Sequence, residues 1–307
     1  MASFTSVIKR EICNLPLNSN CCVTAELLGV ICFGAVIRDN RLSVKTESFT
    51  VAKRVQELTN TVFGYTPNCI AGQGIKKKVY TVEIADSENL ADVLNYYSLV
   101  KNSHDMKNFV SFGIAERYAE NSCCKQALAR GAFLIAGSCT SPESAYHLEF
   151  ATNHRRVSKE LQDVLTELEI YTKVIQRNSN YVVYLKDSER IYDLLGLIGA
   201  TTAMMEFQQA KIYKNFVNRV NRSVNCENAN LDKSINAGMN QATMIEKIRD
   251  TIGLEKLEPS LRELALLRLE NKSASLTELA EMYSKPISRS GINHKFKKIE
   301  RISETLK

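Results

Sequence analysis

The sequence predicts an α+β chain in which a unit of order αββαββα occurs twice and an all-α module follows. Three observations lead there. The 16-residue stretch CCVTAELLGVICFGAV, from Cys21 to Val36, recurs 102 positions later as CCKQALARGAFLIAGS, from Cys123 to Ser138. Behind each copy, short alternating segments and helix-period segments follow in the same succession. From Glu206 the strand-like alternation stops, and Ser284 to Lys307 holds seven Lys or Arg against two Glu.

The repeat aligns without a gap. Cys21 matches Cys123, Cys22 matches Cys124, Ala25 matches Ala127 and Gly29 matches Gly131. The same offset pairs Glu47 with Glu149, Arg54 with Arg156 and Val55 with Val157. A fixed period with matched glycines is the mark of a duplicated structural unit.

In the first copy, Ala25 to Phe33 reads as a small apolar helix. The hairpin AVIRDNRLSVKTES follows, turning at Asp39-Asn40. FTVAKRVQELTNTVFG is an amphipathic helix with Val51, Val55, Leu58 and Val62 on one side and Gly64 as its stop. A second hairpin runs through IKKKVYTVEIA, and SENLADVLNYYSLV closes the unit as a helix capped by Ser87. In the second copy, Leu128 to Ala136 is the small helix and SAYHLEFAT a strand. HRRVSKELQDVLTELEI is the amphipathic helix, YTKVIQRNSNYVVYLKD a hairpin turning at Asn178-Ser179, and SERIYDLLGLIGA the closing helix.

Glycine inside a helix costs about 1 kcal/mol against alanine. Its presence at both position 29 and position 131 therefore predicts two helices whose backbones meet too closely for a side chain, across a pseudo-two-fold axis. The pairs Cys21-Cys22 and Cys123-Cys124 lie two turns before those glycines, so the same axis brings four thiols near one another, the donor set of a tetrathiolate zinc site. Against that, adjacent cysteines suit one tetrahedral ion poorly and C-x2-C spacing is absent. The expectation is four small buried residues, with no metal and no cofactor.

The back half divides into a linker, residues 206–233, and a helical module, residues 234–307, behind a duplicated domain of residues 1–205. The linker is Asn-rich and reads as largely helical. Arg219, Asn221 and Arg222 lie on it, with two readings left open: contact with a DNA backbone or a hinge, and a solvated connecting helix. In the module, Ala242 to Thr251 is a helix ending near Gly253. PSLRELALLRLEN is a second, with Pro259 in its first turn and Leu261, Leu264, Leu267 and Leu269 as core candidates. SLTELAEMYS is a short third helix with Ser275 or Thr277 and Glu278 at its start. KPIS is a tight turn, and Ser288 caps the last helix, RSGINHKFKKIERISETL.

Short helix, tight turn and basic helix make a helix-turn-helix. On the last helix Ile292, Phe296, Ile299 and Ile302 share one face, whereas Ser290, Asn293, His294, Lys297 and Arg301 share the other. N-terminal residues of a recognition helix reach base edges, and later cations meet phosphate. Asn suits adenine and Arg suits guanine in the major groove.

The segments LLGVICFGA, Leu27 to Ala35, and ARGAFLIAG, Ala129 to Gly137, resemble the paired LAGLIDADG motifs of homing endonucleases. That resemblance implies a saddle of curved sheets over duplex DNA, with an acid at the eighth motif position of each copy holding the divalent ions. Those positions are Gly34 and Ala136 here, and neither supplies the oxygen donor a hard cation needs. Asp39 and Glu143 are the nearby acids weighed as substitutes, and the chain is not expected to be an enzyme.

Together, the degenerate motif pair, the run NRSVNCENAN and the C-terminal SLTELAEMYSKPISRSGINHKFKKIERI resemble the bacterial WhiA family over essentially the whole chain. The resemblance implies a DNA-binding transcriptional regulator tied to sporulation or cell division, with double-stranded DNA as partner and transcription or cell-division proteins as further partners. Carried over residue by residue, it puts DNA contacts on Ser288, Arg289, Ser290, Asn293, His294, Lys297 and Lys298. The alternative is a nucleoid- or division-associated interaction protein with weak, non-specific DNA binding.

Composition agrees with a protein of this kind. At 307 residues, 24% charged and 44% hydrophobic, the chain is large enough for two ordinary cores. No apolar run reaches the roughly 18 residues of a membrane span, and MASFTSVIKREICNLP has no cleavable hydrophobic segment behind its charges. Nine Cys with adjacent pairs suit a reducing compartment better than a secreted disulfide framework. A cytoplasmic, nucleoid-associated location is expected.

Overall fold

The structure is a computed structural model that describes residues 3–73, 78–101 and 109–306. The chain forms two compact units, one reaching to Lys214 and one starting at Asn215.

The first unit opens with α1 (Phe4–Cys13), which periodicity did not single out. Ser3 caps it, and Ile8 and Ile12 are fully buried. The hydroxyl of Thr5 both donates to the Cys139 carbonyl and accepts from the Cys139 amide at 2.9 Å, tying α1 to the second repeat.

The first repeat is α2 (Asn20–Gly34), β1 (Ala35–Arg38), β2 (Arg41–Thr46), α3 (Phe49–Phe63), β3 (Asn68–Gln73), β4 (Lys78–Ile84) and α4 (Ser87–Tyr96). A short pairing of β5 (Val100–Lys101) with β6 (Phe109–Val110) precedes the second. That repeat is α5 (Ser122–Ala136), β7 (Gly137–Cys139), β8 (Leu148–Thr152), α6 (Arg155–Glu167), β9 (Lys173–Arg177), β10 (Asn180–Leu185) and α7 (Ser188–Leu197). The predicted order is present twice. Each repeat also folds into a four-stranded antiparallel sheet of the same topology, β1-β2-β4-β3 and β7-β8-β10-β9.

Local chemistry explains these elements. Asp39 and Asn40 both take left-handed backbone angles between the paired residues Arg38 and Arg41, as a two-residue hairpin turn requires. Asn178 does so in the matching hairpin. Gly64 ends α3 in the left-handed conformation. Strand alternation sorts the sheet faces: Leu42 and Val44 pair with Ile84 and Val82, and all four are buried.

Several boundaries differ from those read off the sequence. The cap of α4 is Asp86, whose carboxylate accepts from the Glu88 and Asn89 amides, and Ser87 is already helical. A carboxylate at the positive end of a helix outcompetes a neighbouring hydroxyl. That helix stops at Tyr96, because Ser98 turns left-handed and Val100 enters β5. The strand expected over SAYHLEFAT begins only at Leu148. Residues 75–77 of the hairpin expected through IKKKVYTVEIA lie outside the described residues.

Helices α2 and α5 form the centre of this unit. A Cβ built on Gly29 would fall 2.3 Å from the Leu128 carbonyl oxygen, and one on Gly131 would fall 1.9 Å from that of Glu26. The matched glycines are thus the places where two backbones touch. Around them Leu27, Leu28, Val30, Leu128, Ala132 and Phe133 are buried.

Helix α8 (Thr201–Thr251) contains the residues read as the linker and those read as the module's first helix. In the first unit its opening turn is capped by Glu11, whose carboxylate accepts from the amides of Thr202 at 2.6 Å and Ala203 at 3.0 Å. The second unit continues with a 3-10 turn, Leu254–Lys256, then α9 (Pro259–Glu270), α10 (Leu276–Met282) and α11 (Arg289–Thr305). Its core is formed by Ile245, Ile248, Leu261, Leu264, Leu279, Ile292, Phe296 and Ile299. Leu267 and Leu269 are only partly buried at its edge. No helix among the described residues is long and apolar enough to cross a membrane.

Candidate nucleic-acid interface

The interface candidate is built by α10, the turn after it and α11. Ser275 and Glu278 form a reciprocal capping box that fixes where α10 begins. Pro286 keeps the turn from continuing as helix. The turn is pinned to α9 from both sides of the chain. The Tyr283 hydroxyl donates to the Ser260 carbonyl at 2.7 Å, and the Ser284 amide donates to the Glu263 carboxylate at 2.7 Å. That amide holds the Glu263 carboxyl below its usual pKa.

Arg268 does the remaining positioning. It lies in the Leu-rich helix α9 and is 1% exposed. One guanidinium nitrogen donates to the carbonyls of Asn271, Lys272 and Ala274, which closes the loop leading into α10. The guanidinium also sits 5.3 Å over the ring of Phe296 from α11. A single buried cation thereby sets α9, α10 and α11 against one another.

Ser288 caps α11 by accepting from the Gly291 amide, and its hydroxyl also meets that of Ser290 at 2.8 Å. Ile292, Phe296 and Ile299 point into the core. Ser288, Arg289, Ser290, Asn293, His294, Lys297 and Lys298 are all exposed, on the helix's outer side and at its start. At 3.6 residues per turn, Arg289, Asn293 and Lys297 follow one line along that side, and Glu300 and Glu304 continue it. The acids limit attraction for a polyanion to the first two or three turns.

Arg289 and Asn293 also border a cleft of about 700 Å³ within this unit. Its other walls include Asn230 and Lys233 of α8, Arg268, and Ser275 and Thr277 at the start of α10. Lys233 carries no periodic signal that would mark it in the sequence, Thr277 stands out there only as a cap candidate, and Asn230 ends the Asn-rich run NRSVNCENAN. Arg219, Asn221 and Arg222 are exposed on α8 and do not line this cleft.

The positions matching the nuclease motif's acids are the last residues of α2 and α5. The space beside Gly34 is filled by Ile135, whose Cγ2 lies 2.4 Å from where a Cβ would be. Among the described residues, the one group of three or more side chains able to hold a metal contains no carboxylate, and Asp39 and Glu143 do not belong to it. That group is Cys21, Cys22, Cys123 and Cys124, whose sulfur atoms all lie within 4.8 Å of one another. The expectation that all four are buried does not hold: Cys124 is buried, Cys22 half-buried, and Cys21 and Cys123 are exposed. The cysteines occupy the first turns of α2 and α5, where the two helices open to solvent.

Comparison with known proteins agrees with this architecture. The model of the WhiA C-terminal HTH domain matches residues 220–303, and that of the WhiA LAGLIDADG-like domain matches residues 125–217. The probable cell division protein WhiA of Alkaliphilus metalliredigens (strain QYMF) is 35% identical over 310 residues, covering 98% of each chain. The protein of the same description from Clostridium novyi (strain NT) is 37% identical over 99% of this chain and 98% of that one. Among solved structures, full-length DUF199/WhiA from Thermatoga maritima aligns with a TM-score of 0.59 and 25% identity over 100% of this chain and 99% of that chain. The N-terminal LAGLIDADG domain of DUF199/WhiA aligns with a TM-score of 0.51 and 20% identity over 65% of this chain and 94% of that one, a likeness of fold.

Proposed function

The chain belongs to the WhiA family, and on that premise we propose that it is a sequence-specific DNA-binding transcriptional regulator acting in cell division or sporulation control. The observation that carries the reading is the outer side of α11, where seven polar or cationic residues stand exposed around its first turns while the opposite side fills the core. Arg289 and Asn293 are assigned to base edges, and His294, Lys297 and Lys298 to base or phosphate contacts. Ser288 and Ser290 offer hydroxyls and the helix N-terminus to a phosphate. Lys233 adds charge to the same cleft. Arg219, Asn221 and Arg222 are assigned to DNA backbone or hinge contacts.

On this reading the duplicated domain is a scaffold without nuclease activity. A glycine and an alanine stand where the motif needs carboxylates, so two-metal hydrolysis of a phosphodiester has no ligand set there. The protein acts in the cytoplasm on the nucleoid.

Binding of the full chain to genomic fragments at several salt concentrations tests the proposal. Affinity for a subset of fragments should fall steeply with salt, and no fragment should be cut in the presence of magnesium. Any metal-dependent cleavage contradicts the nuclease-free reading. The relatives are named for cell division, which favours a second reading, a division-associated interaction protein with weak DNA affinity. Equal binding to all fragments would select it.

A further inference from the structure

We propose that Cys21, Cys22, Cys123 and Cys124 form a tetrathiolate site for one zinc ion, bridging the starts of the two pseudo-symmetric helices α2 and α5.

The distances fit a single ion. Four sulfurs around zinc, each about 2.3 Å from it, stand about 3.8 Å from one another. The Cys21 and Cys22 sulfurs are 4.0 Å apart, and those of Cys123 and Cys124 are 3.9 Å apart. The whole set lies within 4.8 Å, so closing it on an ion needs side-chain adjustment of under roughly 1 Å. An iron–sulfur cluster places inorganic sulfide among its irons and needs its cysteines spread more widely. Calcium and magnesium take oxygen ligands instead.

The chain supplies two adjacent pairs rather than two C-x2-C pairs. Adjacency would suit one helix poorly if it had to supply all four ligands. Here each helix offers only one edge of the tetrahedron, and the duplicated partner supplies the opposite edge. The crossing at Gly29 and Gly131, two turns further on, fixes that juxtaposition, because neither backbone can slide without striking the other.

The electrostatics agree. Zinc bound by four thiolates is a dianion. All four cysteines sit in the first turns of α2 and α5, and neither helix start is closed by a side-chain cap. Two helix N-termini therefore turn their positive dipole ends toward the anionic site. The exposed Cys21 and Cys123 give the ion a route from solvent, and the buried Cys124 anchors the inner side. Binding converts four thiols and one Zn²⁺ into a Zn(SR)₄²⁻ centre and releases four protons, with no change of oxidation state. The site joins the repeats at the end of the helix pair opposite Gly34 and Ala136.

Metal analysis of the full-length chain, purified under thiol reductant without chelator, tests the proposal. About one zinc per chain is expected, with less than about 0.2 in Cys22→Ser and in Cys124→Ser and full retention in Cys226→Ser, which lies in the other unit. Cobalt(II) replacing zinc should give the intense visible bands of tetrahedral thiolate coordination. Wild-type protein holding less than about 0.2 zinc per chain, before and after reconstitution, overturns the proposal whatever the variants do. So does stoichiometric zinc in a folded Cys124→Ser variant, or a disulfide joining the two pairs that persists in protein purified under reductant.

Discussion

The carboxylate of Glu26, in the middle of α2, is gripped by the guanidinium of Arg54 from α3, at 2.9 Å and 3.1 Å, and both side chains are 2% exposed. Arg54 also donates to the Leu15 carbonyl, and Arg130 of α5 reaches the same carboxylate at 3.2 Å. One buried acid thus links α3 to both central helices. The arrangement is not symmetric. Arg156, the repeat partner of Arg54, pairs with Glu160 at the surface, and Leu128 stands opposite Glu26 in the alignment.

Breaking this pair from one side should be costly. Arg54→Met leaves a buried carboxylate with only the partly exposed Arg130, and is expected to destabilise the first unit by about 3–5 kcal/mol. Adding Glu26→Met should recover a large part of that loss, since an apolar pair needs no compensating charge. Urea unfolding of the single and double variants checks both expectations. A double variant less stable than the Arg54 variant would contradict them.

The α2–α5 crossing predicts a sharp contrast between glycines. Gly131→Ala must displace the Glu26 carbonyl, and is expected to cost about 3 kcal/mol or more. Gly72→Ala meets nothing closer than 3.9 Å and should change stability by less than about 0.5 kcal/mol. The two unfolding midpoints, measured side by side, decide the point.

Glu11 predicts a pH dependence. Burial raises its pKa, but the amides of Thr202 and Ala203, with the hydroxyls of Thr201 and Thr202, outweigh burial and hold it below its ordinary value of 4.5. A carboxyl depressed in the folded state contributes stability that is present above the ordinary value and lost as pH falls through the folded one. Glu11→Gln should therefore be less stable than the wild type at neutral pH, with the gap closing as the pH drops below 4.5. Thermal melts across that range measure it, and a constant gap would contradict it.

Much of the fold was legible because its signals are local. Asp39-Asn40, Gly64, the Ser275–Glu278 pair and the Ser288 cap each act over a few residues, and the glycine register carried the duplication. The buried charges were not legible. Arg54 stood out only as a repeat match, and Arg268 lies in a helix read by its leucines, because nothing in a periodic pattern reveals which cation finds carbonyls or a carboxylate in the core. The helical character of the Asn-rich stretch was legible, but its continuity with the module's first helix was not, because its residues are nearly all exposed and no apolar face carries the pattern across. The approach of the four cysteines was legible from the repeat register, whereas the exposure of Cys21 and Cys123 was not, because it depends on where the two helices open to solvent.

The central claim is that α11 reads DNA with its outer side. Genome-wide crosslinking of the tagged full chain, wild type against Arg289→Ala and Asn293→Ala, tests it most directly. Each substitution should cost about 1–3 kcal/mol at specific sites, on the order of 5- to 150-fold in affinity, while background binding is kept. The account predicts discrete sites in the wild type that fade in both variants. Sites that persist unchanged in folded, equally abundant variants would contradict it.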